Sequence, residues 1–264
     1  IIEINPDFVI HVGDATDTDN KPTDEEDYTT ARQAWKEYTD VVWNLTDHIP
    51  VFISIGNHEE PGIPQALRRY REVVIHPHNG DGQADADCYD NNCWDETTYW
   101  FRYGNSLFIF LNTEEPDYAA HGNISGAQYE WFNKTVHTTD YVHKFVFAHK
   151  PLVGCNRGGT LSTDDPTWSA HLDNLMYDNG VTAAFYGHEH LFCHNTTHGG
   201  EMPHIITGGG GAELKTCPAA CLGIKCIGKP EYHYLIVNIT GNIMNVTVYN
   251  HTNDVKYKFG RIMD

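Results

Sequence analysis

Four short apolar runs in this sequence each end in residues able to bind a cation or move a proton. Phe8-Val9-Ile10-His11-Val12 leads to Gly13 and Asp14, and Val51-Phe52-Ile53-Ser54-Ile55 leads to Gly56, Asn57, His58, Glu59 and Glu60. Lys144-Phe145-Val146-Phe147-Ala148 leads to His149, and Ala183-Ala184-Phe185-Tyr186 leads to Gly187, His188, Glu189 and His190. Asp14, Asn57, His149, His188 and His190 supply oxygen and imidazole donors, which suit Zn, Fe or Mn and are too rich in nitrogen for a calcium cage. One Asp carboxylate can bridge two cations about 3.5–4 Å apart, the spacing that clamps an in-line displacement at phosphorus by a metal-bound hydroxide. His58, next to Asn57, stands where an imidazole can hydrogen-bond phosphate or protonate a leaving oxygen. Two imidazoles one residue apart, after a glycine and a buried strand, are hard to justify by packing alone.

These groups need strands that deliver them to one rim. An apolar run closed by glycine reads as a central strand covered on both faces, and open α/β sheets gather ligands beyond the carboxyl ends of such strands. Between the first two runs, Thr23 with Glu26 reads as a capping box, and Tyr28, Ala31, Trp35, Tyr38, Val42 and Leu45 recur at helical spacing until Pro50. Residues 8–55 are thus a strand, helix, strand unit of the kind that builds parallel sheets. Pro64 opens a second helical stretch to about Val74, and 76–96 reads as a long polar loop. A hairpin turning at Gly104-Asn105 follows, then a helix from Ser125 with Gln128 in a second capping box. A further helix over 164–179 stops at Asn179-Gly180. Gly208 to Gly211 can bring backbone close to a neighbouring loop. The tail, 232–259, alternates as three antiparallel strands with Leu235, Val237, Ile239, Met244, Val246 and Val248 on the apolar face.

The chain has 264 residues, a formal net charge of −19 and a sequence pI near 5.2. That suits a single domain over 1–264, and the charge argues against nucleic acid or anionic membranes as partners. No apolar run approaches the ~18–20 residues of a membrane span. Asn-X-Ser/Thr sequons stand at Asn44, Asn123, Asn133, Asn195, Asn238, Asn245 and Asn250, where random placement gives roughly two, so the chain reads as a secreted or lumenal glycoprotein. Seven cysteines agree with an oxidising compartment; Cys88 and Cys93 could close one small loop, and Cys217, Cys221 and Cys226 share a Pro/Gly-rich segment. Of the seventeen histidines, His76, His78, His121, His137, His171, His198 and His251 read as surface or loop residues and His11 as a satisfied structural one.

Read together, GD at 13–14, GNHE at 56–59, VxxH at 146–149 and GHxH at 187–190 resemble the calcineurin-like metallophosphoesterases, closest to the purple acid phosphatase-like branch. HKPLVGC at 149–155 and Gln128 with Trp131 add to the likeness. The resemblance implies an α/β fold of four layers, α/β/β/α, with mixed sheets. It implies that Asp14 bridges two divalent or trivalent ions (Fe, Zn or Mn), with Asn57, His149 and His188 on one and His190 on the other. His58 would serve phosphate or leaving group, and the substrate would be a small phosphate ester. Two departures stand out. The family's first motif, upstream of GD, has no counterpart here, so its strand is expected from an upstream segment or from another chain. Asp17 replaces the tyrosine of purple acid phosphatases, which argues against a tyrosinate-coloured iron centre. The alternative is an extracellular structural or assembly glycoprotein that reuses the fold with its catalysis impaired and a strand donated between subunits.

Overall fold

The computed structural model describes residues 2–16, 25–46, 49–59, 70–77, 79, 97–114, 122–124, 126–154, 161–217, 225–226 and 230–263. Alternation organises its largest sheet. In β4 (Ser106–Phe110), β5 (His143–Ala148) and β6 (Ala183–Tyr186), Leu107, Ile109, Val146, Ala148, Ala184 and Tyr186 point to one face, and Phe108, Phe110, Phe145, Phe147, Ala183 and Phe185 to the other. Both faces are buried, as the apolar runs require. With β3 (Tyr99–Tyr103), β7 (Phe192–Thr197), β8 (Met202–Thr207) and β9 (Lys225–Cys226) these form seven strands in the order β3-β4-β5-β6-β8-β7-β9. The centre is parallel and the flanks antiparallel.

The first face packs on α2 (Gly126–Val136) and α4 (Pro166–Asp178), through Phe132, Val136, Leu172 and Met176. The short α3 (Leu161–Asp164) precedes α4, which Asp165 caps by accepting from Trp168 N at 3.0 Å. The second face packs on a divided layer. One part is the parallel pair β1 (Val9–His11) and β2 (Val51–Ile53), in register Val9↔Val51 to His11↔Ile53. The other is the antiparallel sheet β10 (His233–Thr240), β11 (Ile243–Asn250) and β12 (Val255–Ile262), whose Met244, Val246 and Val248 enter the aromatic core. Outside β2 lies α1 (Glu25–Thr46), with Trp35 against Ile53, Ile55 and Tyr70. Helix, sheet, divided sheet and helix make the four layers expected.

Inside α2, Gln128 is buried, its amide accepting from Asn112 N at 2.8 Å and donating to Asn112 O at 2.9 Å; Ser125, its partner in the expected capping box, lies outside the described residues. Four local expectations change. His76 is not a surface residue, being 3 % exposed. Its Nε2 accepts from Ile53 N at 3.1 Å and its Nδ1 meets the Tyr70 hydroxyl at 3.2 Å, while Tyr70 and Tyr99 both donate to Ile53 O. The outer edge of β2 is thus closed by side chains, one way to blunt an unpaired strand. His11 is not satisfied at its buried Nδ1, which has no hydrogen-bond partner among the described residues. His198 is half-buried, stacked on Tyr177 with its Nε2 3.3 Å from Asp173. Val237 belongs to the inward set of β10 yet is 39 % exposed, and among the described residues no strand pairs with the outer edge of β10 or with the edge of β1 away from β2. The capping pair Thr23–Glu26, the start of the second helix at Pro64, Glu60, Cys88, Cys93, Cys155 and Cys221 lie outside the described residues or side chains.

Candidate metal centre

Period-two alternation carries the face of β5 that holds Phe145 and Phe147 on to His149, which therefore points at β1. There its Nδ1 donates to Val12 O at 2.8 Å, which turns Nε2 toward Asp14 Oδ2 at 3.0 Å and Asn57 Oδ1 at 3.0 Å. His188 Nδ1 lies 3.0 Å from the same Asn57 oxygen. Asp14, His149 and His188 offer ligand atoms within 4.8 Å of one another. Four strand ends from both sheets thus converge on one point.

The glycine before each of three ligands is required by this crowding. A Cβ on Gly13 would fall 2.5 Å from His149 Nδ1, one on Gly187 2.5 Å from Val12 O, and one on Gly56 would overlap Asp14. Asp14 and His188 themselves hold left-handed backbones, φ 55° and 60°. For non-glycine residues that conformation costs about 1–2 kcal/mol, and it gathers at functional sites. Two glycines of the run approach their neighbours closely, as expected: a Cβ on Gly208 would strike Glu189 O in the GHxH turn and one on Gly209 the His233 ring, whereas one on Gly210 or Gly211 would meet nothing within 4 Å.

Electrostatics couple the two central ligands. Burial works against charge on Asp14, but the His149 imidazole beside it, with His58, holds the carboxyl well below the usual range. Burial likewise disfavours His149 imidazolium, yet Asp14 prevails and raises it to about 9. Without metal, a proton on His149 neutralises the carboxylate where a cation would otherwise sit.

His58 is close by: its N donates to Asp14 Oδ1 at 3.0 Å and its Nε2 is 3.8 Å from Asp14 Oδ2. His190 stands apart from the Asp14, His149 and His188 group, with Nδ1 donating to Glu213 O at 2.9 Å. That bond leaves its Nε2 free of the Glu213 contact. Glu59 and Lys150 fall within the motifs GNHE and HKPLVGC, but the sequence names no partner for either. Glu59 is 1 % exposed and accepts from the backbones of Asp14, Gly56 and Thr16; burial and the Asp14 charge push it up to about 7 against those bonds. Beside His149, Lys150 pairs with buried Glu114 at 2.8 Å, and its N donates to Thr113 Oγ1. Both depend on partners distant in the chain, which spacing does not reveal.

The sequons divide by environment. Asn238 and Asn245 are exposed and face each other across β10 and β11; Asn123, Asn133 and Asn195 are half-buried. Asn250 is 5 % exposed, with Nδ2 donating to Glu231 and Asp254 and Oδ1 accepting from Thr252 and Asp254. The Asn44 side chain lies outside the described residues.

The sequence profile named calcineurin-like phosphoesterase matches residues 1–192. The chain belongs to the calcineurin-like phosphoesterases. No curated protein matches it. Among solved structures, PhoD is similar at 13 % identity and TM-score 0.70 over 98 % of this chain and 65 % of that one. A second is described as "GAP50 the anchor in the inner membrane complex of Plasmodium", similar at 14 % identity and TM-score 0.53 over 82 % of this chain and 67 % of that one. The chain spans about two thirds of their lengths, and at these identities the likeness is one of fold. Members of this phosphoesterase family typically bind divalent metals, and the donors here fit one. Asp, Asn and His side chains converge, and the Val12 bond leaves His149 Nε2 as the nitrogen that faces them. Among the described residues no helix is long and apolar enough to cross a membrane.

Proposed function

We propose that this phosphoesterase is a secreted or lumenal glycoprotein, a single domain over 1–264 that hydrolyses small phosphate monoesters at a two-ion centre of the acid phosphatase type. The convergence of Asp14, Asn57, His149 and His188 supports it most. Asn57, His149 and His188 would hold one ion of Fe, Zn or Mn, His190 the other, and Asp14 both. Bound there, such ions lower the pKa of a water and offset the charge that builds on phosphorus. The chain's own part is placement. Val12 O fixes the His149 ring, and Glu213 O fixes His190. His58, with a side chain one-fifth exposed, remains within reach of a phosphate oxygen or a departing alkoxide. Secretion is supported by the sequon excess and by the seven cysteines. The test is release of phosphate from an aryl phosphate by metal-reconstituted protein, with ions per chain counted in parallel. About two ions, with turnover lost in Asp14→Asn and cut about 10²–10⁴-fold in His58→Ala, is the expected result; turnover untouched by Asp14→Asn overturns the reading.

Among the described residues no strand pairs with the outer edges of β1 and β10, and this favours a second reading, in which another polypeptide segment pairs there and the chain serves in assembly. It predicts no more than one ion per chain and a stable oligomer by light scattering. Two ions on a monomer with full turnover reject it.

A further inference from the structure

Asp14 is one of two candidate ligands with a left-handed backbone, and one side chain holds it. The φ of 55° points its N–H back toward the turn after β2, where Glu59 Oε2 accepts it at 2.8 Å. The same oxygen accepts from Gly56 N at 2.8 Å, while Oε1 takes Thr16 N at 2.9 Å and Thr16 Oγ1 at 3.1 Å. Four donors from the β1 and β2 turns therefore end on one carboxylate, itself 1 % exposed. The clasp is reciprocal, for Asp14 Oδ1 accepts from His58 N at 3.0 Å. Glu59 reaches Asp14 across 45 residues of sequence. Space for it exists because residue 56 lacks a side chain; a Cβ there would lie 2.9 Å from Glu59 Oε2.

We propose that Glu59 is the positioning residue of the centre. It fixes the left-handed turn of Asp14 and so sets the separation between the Asp14 carboxylate and the His149 and His188 imidazoles. The turns that follow two paired strands are tied here by one carboxylate acceptor in addition to the β1–β2 ladder. Charge-assisted bonds of this kind are about twice as strong as neutral ones, enough to hold a backbone out of its preferred region. A glutamine fails in this place: its amide nitrogen would meet N–H donors on one side or the other.

The inference takes from the proposed function that the ligands bind a metal, and its test separates the two. In Glu59→Gln the metal-free crystal structure should show Asp14 out of the left-handed region and its Oδ2 farther than 3.0 Å from His149 Nε2. Zn²⁺ affinity by calorimetry should fall about 10–100-fold. Thr16→Val, which removes one bond to the same carboxylate without touching Asp14, should change it less than about threefold and serves to separate positioning from general loosening. If Glu59→Gln does not fold, Glu59→Asp, with its charge kept and its reach shortened, carries the same expectation. Unaltered Asp14 geometry in the folded variant overturns the proposal whether or not Zn²⁺ binds. Absent Zn²⁺ binding in the parent protein, with the Asp14 shift still seen, overturns the metal reading and leaves the positioning role supported.

Discussion

Replacing Gly187 by alanine adds one methyl group where two sheets meet. It would lie 2.5 Å from Val12 O, 3.1 Å from His149 Nδ1 and 3.2 Å from Val12 Cγ2. The residue has no left-handed φ, so the cost is packing alone. Its backbone cannot retreat easily, because Gly187 N donates to His149 O at 2.9 Å. Relief must come from Val12 O or from the imidazole, and either movement breaks the 2.8 Å bond that orients His149. Overpacking costs about 1–3 kcal/mol and a buried polar group losing its partner about 1–3 kcal/mol, or about 2–6 kcal/mol together. In a domain of this size the melting temperature should drop on the order of 10 °C. Metal affinity should fall with it, because His149 Nε2 no longer faces Asp14. Calorimetric melting and Zn²⁺ titration would be run beside Gly210→Ala, whose Cβ meets nothing within 4 Å and which should match the parent protein. Equal stability and equal affinity for the two variants would refute the claim that the motif glycine exists to admit the His149 ring.

Three further outcomes follow from geometry elsewhere. Replacing His76 by phenylalanine should cost about 1–3 kcal/mol in urea unfolding, because the Ile53 amide loses its acceptor; a change under 0.5 kcal/mol would contradict the edge-closing role. Asp173 is pushed up by burial but held lower by its bond to His204 and by the His204 and His198 charges, so its folded pKa lies below the ordinary carboxylate value. Its contribution is therefore complete above about pH 4 and disappears as pH falls through the folded value. Asp173→Asn should weaken the protein at pH 7 and flatten its loss of stability below pH 4; parallel acid profiles would exclude this. Glycopeptide mass spectrometry of protein secreted from eukaryotic cells should find sugar at Asn238 and Asn245 and none at Asn250, whose amide nitrogen is already committed inside the β11–β12 turn. An occupied Asn250 would show that this turn forms differently.

The residues that converge as candidate ligands were legible because each lies just after an apolar run, three of them directly after a glycine. The strand ends of β1, β2, β5 and β6 fall where those runs predict, and the tail strands where alternation predicts. Residues whose role lies in a distant partner escaped. Gln128 bonds through its amide to Asn112, sixteen positions away, which no spacing announces, and His76 reads as polar loop yet closes the edge of β2. Glu59 shares a motif with Asn57 and His58, but nothing local shows that it faces inward to Asp14. Val237 was misplaced for the opposite reason: alternation assigns its side of the strand correctly, while exposure depends on whether a neighbouring strand covers it.

The meeting of His149 with Val12 also orders events in time. His149 and His188 are carried by the seven-stranded sheet, Asp14 and Asn57 by the β1–β2 pair, and no two of these four share a strand. A folding chain whose large sheet has formed but whose parallel pair is still undocked holds two imidazoles and no carboxylate between them. High-affinity uptake of metal would then begin only at docking, and the rate of uptake during refolding would clock that late step separately from the burial of tryptophan.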